Sequence, residues 1–323
     1  MALLAWLIFI PLQILWLPLS ILGALWVAYK QIGVSKRLGL SQTAVEIING
    51  RWTADVFGLR KDTASRRLAG KLPNNSVPGL GLALFPLMVA RLIAGRPILY
   101  PLLPDDARAG IANMVFNRTA RFDSLIAANA ADAGQLVVLG AGLDTRCYGP
   151  LARPGLAMFE LDQTANQRAK RKAVKRAGLN AADVRYIEVD FALPQWIASL
   201  TASDYDPSLK TVFLWEGVTL YLTEADVRAT LAALKANAAP GSVVLLDLYA
   251  TRFIDTLGKG ATGKTLQATG EGMGFGLDFS GDAEGVLKAF ADSAGLRLDR
   301  HYFLGLASRN GAFMVVAELV VGT

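Results

Sequence analysis

The sequence is poorest in the residues that bind soft metals or form covalent cross-links: of 323 residues, one is cysteine and one is histidine. A lone Cys147 excludes an internal disulfide and removes any demand for an oxidising compartment. With His301 as its only possible companion, a zinc site built from cysteine and histidine is excluded too. No acidic spacing suggests a carboxylate metal site, so no metal is expected. Internal repeats and low-complexity tracts are also missing.

A second absence is local. Ala2 to Tyr29 carries no charged side chain and is dominated by Leu, Ile, Ala, Val and Trp. As a helix it would be ~42 Å long, more than the ~30 Å of a bilayer's hydrocarbon core, so it can span with tilt or with a kink at Pro11 or Pro18. A cleavable signal peptide is the rival reading, but a basic leading region is absent and the apolar stretch is too long. Lys30, Lys36 and Arg37 follow at once, which places the rest of the chain in the cytoplasm.

Net charge is the third feature with little spread. The total is +6, and Lys30 to Lys71 supplies it alone, with nine basic residues against three acids, leaving the remainder neutral. A basic excess confined to the segment behind an apolar one reads as contact with anionic lipid headgroups, not as a nucleic-acid surface. Its other reading is a solvated helix face. The high hydrophobic fraction, 53%, and positive mean hydropathy agree with contact to lipid.

Gln31 to Gly70 reads as amphipathic helices, and Val77 to Ala90 as a second apolar stretch. About 14 residues is too short to cross unaided, so it is expected to lie at the interface, to be re-entrant or to pack on the body of the protein. Arg96-Pro97 to Pro104-Asp105 is a proline-rich connection. These shifts divide the chain into an anchor (1–30), a basic and apolar helical membrane-proximal region (31–105) and a C-terminal domain (106–323).

That last domain opens on a helical approach, Asp106 to Ala130. Strands are then expected at Gln135–Leu139, Gly155–Leu161, Val184–Val189, Thr211–Trp215 and Ser242–Tyr249, with closing strands at Leu296–Leu304 and Ala312–Val321. Helices alternate with them at Thr164–Ala177, Thr223–Ala236 and Asp282–Ala294. Apolar runs alternating with helices mean an α/β fold, a Rossmann-like doubly wound and mostly parallel sheet. Arg252 to Gly281 is glycine-rich and is a candidate lid. The charge run of the Thr164 helix reads as a solvated face.

The first strand ends in Gly140-Ala141-Gly142, a turn that lets the backbone approach a ligand. A dinucleotide fingerprint asks for a third glycine where this chain has Thr145. Glu160, Asp162, Asp190 and Glu216 fall at or just past the next strand ends, which a parallel sheet gathers into one crevice. An acid about 20 residues after the glycine loop suits a ribose diol, and Asp162 lies 22 after Gly140. Carboxylates repel a pyrophosphate but suit a nucleoside bearing a sulfonium. The expected cofactor is therefore S-adenosyl-L-methionine, with NAD as the alternative.

Val137 to Arg146 (Val-Val-Leu-Gly-Ala-Gly-Leu-Asp-Thr-Arg), Phe159 to Gln163 (Phe-Glu-Leu-Asp-Gln) and Glu216 to Leu222 (Glu-Gly-Val-Thr-Leu-Tyr-Leu) together resemble the leucine carboxyl methyltransferase family. The likeness runs from about Ala109 to the C-terminus. It implies the class I methyltransferase fold and a cofactor set of Arg118, Gly140, Ala141, Gly142, Asp144, Asp162, Gln163, Asp190, Phe191 and Glu216. By resemblance Arg118 pairs with the methionine carboxylate, Asp190 and Phe191 flank the adenine, and Glu216 lies by the methionine amino group and the substrate mouth. Glu216 and Tyr221 are the catalytic candidates, Tyr221 having core packing as its other reading. Arg121 and Glu160 are the alternatives to Arg118 and Asp162. Arg146, Tyr249 and Arg252 are candidates for an acidic substrate, His301 a weak one for a base, and Cys147 reads as core.

The expected function is O-methylation of a carboxylate or hydroxyl on a lipophilic small molecule at the membrane. The partners are that substrate and membrane lipid, without nucleic acid. A nicotinamide-dependent oxidoreductase and a non-catalytic cofactor-binding membrane module are the other two readings.

Overall fold

The computed structural model describes residues 2–322 except Pro150, Ala192, Pro194 and 260–271. Five strands run parallel: β1 (Gln135–Leu139), β2 (Ala157–Asp162), β3 (Val184–Glu188), β4 (Thr211–Trp215) and β5 (Val243–Tyr249). β7 (Met314–Val320) lies antiparallel between β5 and β6 (Arg297–Leu304), giving the order β3-β2-β1-β4-β5-β7-β6. This is a Rossmann-like, doubly wound and mostly parallel sheet. β1, β4 and β5 are buried along their whole length, as continuous Val/Leu runs covered on both faces require. β3 at the edge is only partly covered.

The order reverses on either side of β1, which pairs with β2 on one flank and β4 on the other. A crevice at the carboxyl ends of β1 and β4 follows from that reversal. The connecting helices are α7 (Thr164–Ala177), α8 (Trp196–Thr201), α9 (Glu224–Ala236), α10 (Thr251–Gly258) and α11 (Ala283–Ser293), preceded by α6 (Met114–Asn129). Thr223 and Asp226 close a reciprocal cap on α9, so this helix starts one residue later than the sequence pattern suggests. The helical approach expected over Asp106 to Ala130 is made of two 3₁₀ turns, Asp106–Arg108 and Ile111–Asn113, followed by α6. Much of the expected lid falls at 260–271, outside the described residues. The stretch after it is tied down, with Gly274 N–H donating to the Leu220 carbonyl at 2.7 Å.

The N-terminal part begins with α1 (Ala2–Ala28), which continues through a π turn (Tyr29–Val34) into α2 (Ser35–Leu38). α3 (Gln42–Val56), α4 (Thr63–Ala69) and α5 (Val77–Ala94) follow. Ser41, Asp62 and Ser76 cap these three, each accepting from the backbone N–H three residues on. Ile48 and Trp52 of α3 share a buried cluster with Leu68 and Ala69 of α4 and with Ala173 and Val174 of α7. The 31–105 region thus packs on the sheet domain.

α1 and α5 are long and apolar enough to cross a membrane. They lie antiparallel against each other. A Cβ added to Gly23 would stand 2.6 Å from the Gly79 carbonyl oxygen, so only glycine allows the two backbones this close. Pro86 has no N–H to offer the Leu82 carbonyl four residues before it. The Trp16 indole N–H takes that place at 3.0 Å.

Candidate functional site

One cleft of about 470 Å³ runs across the carboxyl ends of β1 to β5. Arg118, Gly140, Ala141, Gly142, Asp144, Asp162, Gln163, Asp190, Phe191, Glu216 and Tyr221 all line it. The sheet order fixes their sequence across the cleft: Asp190 after β3, Asp162 at the end of β2, Gly140 after β1, Glu216 after β4, Tyr249 ending β5.

Gly140 has φ +63°, and a Cβ there would meet Val218 Cγ2 at 2.4 Å. Asp162 grips the same loop, accepting from the Gly142 N–H and, at 2.6 Å, from the Gln163 N–H. Burial pushes its carboxyl pKa up, with those two N–H groups pulling the other way. Two backbone donors leave lone pairs on the carboxylate to accept from a diol. Asn166 Oδ1 accepts from the Ser41 N–H at 3.0 Å and ties the start of α3 to the rim.

Along one wall of the cleft lies a network of three arginines and four acids. Arg118 donates to Glu216 Oε1 (3.1 Å), Asp247 Oδ2 (3.2 Å) and the Tyr249 hydroxyl (2.7 Å). Glu216 Oε2 also accepts from Arg51 (3.0 Å) and Arg146 (2.6 Å). Arg51 reaches Asp144 at 2.9 Å, and Arg146 pairs with Asp144 and Asp123. Burial works to raise the Glu216 carboxyl, but Arg146, Arg51 and Arg118 outweigh it and hold the pKa at about 2. Burial opposes the ionised form of Asp144 as well, and Arg146 and Arg51 bring it far below the ordinary range. Asp247 ends raised, because its burial exceeds the pull of Arg118. A carboxylate held as low as Glu216 is a weak proton acceptor; it suits charge placement better than proton abstraction.

The other half of the cleft is apolar. Ile111, Met114, Leu220, Leu222, Phe253, Leu257 and Met273 line it beside Tyr221. Gly39, Leu40, Ser41, Thr43, Ala44, Glu46 and Ile47 complete the lining from the N-terminal part.

Several expected residues lie elsewhere. Arg121 pairs with Asp106. Glu160 is buried between Lys170 Nζ (2.8 Å) and the Tyr148 hydroxyl (2.8 Å). Lys170 is thus a buried exception on the supposedly solvated face of α7. Arg252 donates to the carbonyls of Gly311 and Ala312, and His301 stacks edge-on to Phe303. Cys147 is buried core. Thr145, at the third-glycine position, shares its hydroxyl with Ser65 at 2.7 Å and so docks α4 on the loop. Arg51 and Asp247 were missed. Arg51 hid in the basic run read as facing lipid. Asp247 did carry a signal, since an acid inside an apolar strand must find a buried partner.

Residues 102–235 match the family model described as leucine carboxyl methyltransferase. A protein named putative S-adenosyl-L-methionine-dependent methyltransferase from Mycobacteroides abscessus is 33% identical over 165 residues, 50% of this chain and 54% of that protein. A namesake from Streptomyces avermitilis is 32% identical over 170 residues, 50% of this chain and 59% of that one. The chain therefore spans a little over half the length of these curated relatives. A solved duf574 family protein from Streptomyces avermitilis superposes with a TM-score of 0.47 at 15% identity, covering 65% of this chain and 84% of that one.

Proposed function

We propose that the protein, whose residues 102–235 match the leucine carboxyl methyltransferase family model, is an S-adenosyl-L-methionine-dependent O-methyltransferase. Its proposed acceptor is a carboxylate or hydroxyl of a lipophilic small molecule. The reading rests on one observation above all: the cleft gathers the Gly140–Asp144 loop, Asp162, Asp190, Phe191 and Glu216 at the ends of four neighbouring strands. The donor set fits the group, because acids beside a close backbone turn suit a diol and a cationic nucleoside, and they repel a pyrophosphate. When bound, the cofactor supplies an electrophilic methyl on sulfur.

The chain's own residues then bind, orient and exclude water. Asp162 takes the ribose hydroxyls, Asp190 and Phe191 the adenine side, and Arg118, Asp144 and Glu216 set the charge at the methionine end. Arg118 is already engaged by Glu216, Asp247 and Tyr249, so it fixes this network in place as well as facing the cleft. Tyr221, among apolar neighbours, faces the acceptor. Weak basicity at Glu216 favours a carboxylate acceptor, which is already a nucleophile and needs only to be held in line at near-attack distance.

Lipophilicity is supported by the apolar half of the cleft and by Gly39, Leu40 and Ser41, which line it directly after α2. We place the catalytic domain in the cytoplasm and attach it to the membrane through α1. Calorimetry with S-adenosylhomocysteine tests the cofactor: wild type should bind and Asp162→Ala should lose most of the affinity, whereas unchanged affinity or preferential NADH binding would sink the assignment. Mild alkali should release methanol from the product if a carboxylate is the acceptor. An alkali-stable product would leave the hydroxyl.

A further inference from the structure

α1 and α5 are the largest feature that the proposed chemistry leaves unused. α5 is held at both ends by the same body. At its start Asn74 donates to Ser35 Oγ (2.9 Å) and Asn75 to the Ala69 carbonyl (3.1 Å). At its end Arg91 Nε donates to the Phe57 carbonyl (2.9 Å), where α3 finishes. Between them Val77, Leu80 and Leu84 pack on the α3–α4–α7 cluster. A helix with both ends on one body does not carry the chain across a bilayer.

α1 rests on the opposite side of α5 through the Gly23–Gly79 contact and through Trp16, whose ring lies 4.5 Å from that of Phe85. If α1 stood along the bilayer normal, α5, Arg91 and the polar surface of α3 and α4 would have to enter the hydrocarbon with it, where charge is strongly disfavoured. We infer that α1 and α5 bind one leaflet side-on as an antiparallel pair, in place of the crossing that the length of α1 alone suggests.

The occupant of the outward face is lipid. Leu3, Leu7, Ile14, Leu15, Leu22 and Leu25 are 58–81% exposed. A helix is about 10–12 Å across, and interfacial helices sink about 5–10 Å, so the leaflet's headgroup–acyl boundary covers such a face. Lys30, Lys36 and Arg37 follow with no acid before Glu46, which complements anionic headgroups. The pair also sets the mouth of the cleft, through Gly39 and Leu40, at the membrane surface.

This deepens the membrane attachment proposed above and does not depend on methyl transfer. Its test uses the full chain with Cys147→Ala, reconstituted in vesicles of phosphatidylcholine and phosphatidylglycerol. Ala2→Cys is combined with Asp204→Cys, a body position 72% exposed, and treated with a membrane-impermeant maleimide. Mass spectrometry should find molecules carrying both labels or neither; singly labelled molecules that gain the second label only after detergent would establish a crossing and overturn the inference. A spin label at Leu15→Cys should report a depth of ~5–10 Å, and a label near the bilayer centre, ~15 Å deep, would overturn it. Failure to float with the vesicles would remove attachment itself, and a stable dimer lost on Leu15→Lys would assign the face to a second copy.

Discussion

The cleft and the α1–α5 pair solve opposite problems. The cleft buries charge: Arg51, Arg118, Arg146, Asp144, Glu216 and Asp247 come from five different segments, and their side chains are all at most 9% exposed. The pair exposes apolar surface, and α1 is joined to α5 by a glycine contact, ring packing and one indole hydrogen bond. In the first region stability depends on every charge keeping its partners. In the second it depends on what surrounds the molecule.

Breaking the charge network should cost most. Arg118→Ala leaves Glu216 and Asp247 buried with one cation fewer, and denaturation should show a loss of about 3–5 kcal/mol, as for a broken buried pair. A loss below about 1 kcal/mol, the size of an exposed pair, would erase the contrast between the two regions. Acid should act on the same network. Glu216 is depressed to about 2 from 4.5, so its stabilisation is present above its ordinary pKa and fades as pH falls toward 2. Asp162 is raised, so its contribution has the opposite sign and is lost as pH rises through its folded-state value. Across that acid window Glu216→Gln should lose less stability than wild type, and parallel curves would contradict the assignment.

Trp16→Phe orphans the Leu82 carbonyl and should cost about 1–3 kcal/mol locally. Hydrogen exchange should rise in α1 and α5 while affinity for S-adenosylhomocysteine stays unchanged; faster exchange across the sheet would show that the pair and the cleft are one cooperative unit. The smallest effect is expected from Lys36→Gln with Arg37→Gln, about 1 kcal/mol per charge in binding to anionic vesicles. That loss should vanish on neutral vesicles.

Where local pattern carried the information, the reading reached single residues. β1, β4 and α7 have the bounds expected from their apolar runs and charge pattern. Asp106–Asn113 did not, since whether a polar segment becomes 3₁₀ turns or a full helix depends on what it packs against. In the cleft, glycines and acids at strand ends were legible because a parallel sheet places every strand end on one side. Arg51 was not, being one of nine basic residues with nothing local to set it apart.

The sequence by itself determined the strand–helix alternation, the glycine turn, the acids beside it and the charge-free helix, because each is written in neighbouring residues. Tertiary structure alone decided that Arg51 meets Asp144 and Glu216, 93 and 165 positions away. It also decided that α5 returns to the body at both ends. Charge pairing and helix docking at such separations are settled by the geometry of the packed chain, and no local spacing encodes them.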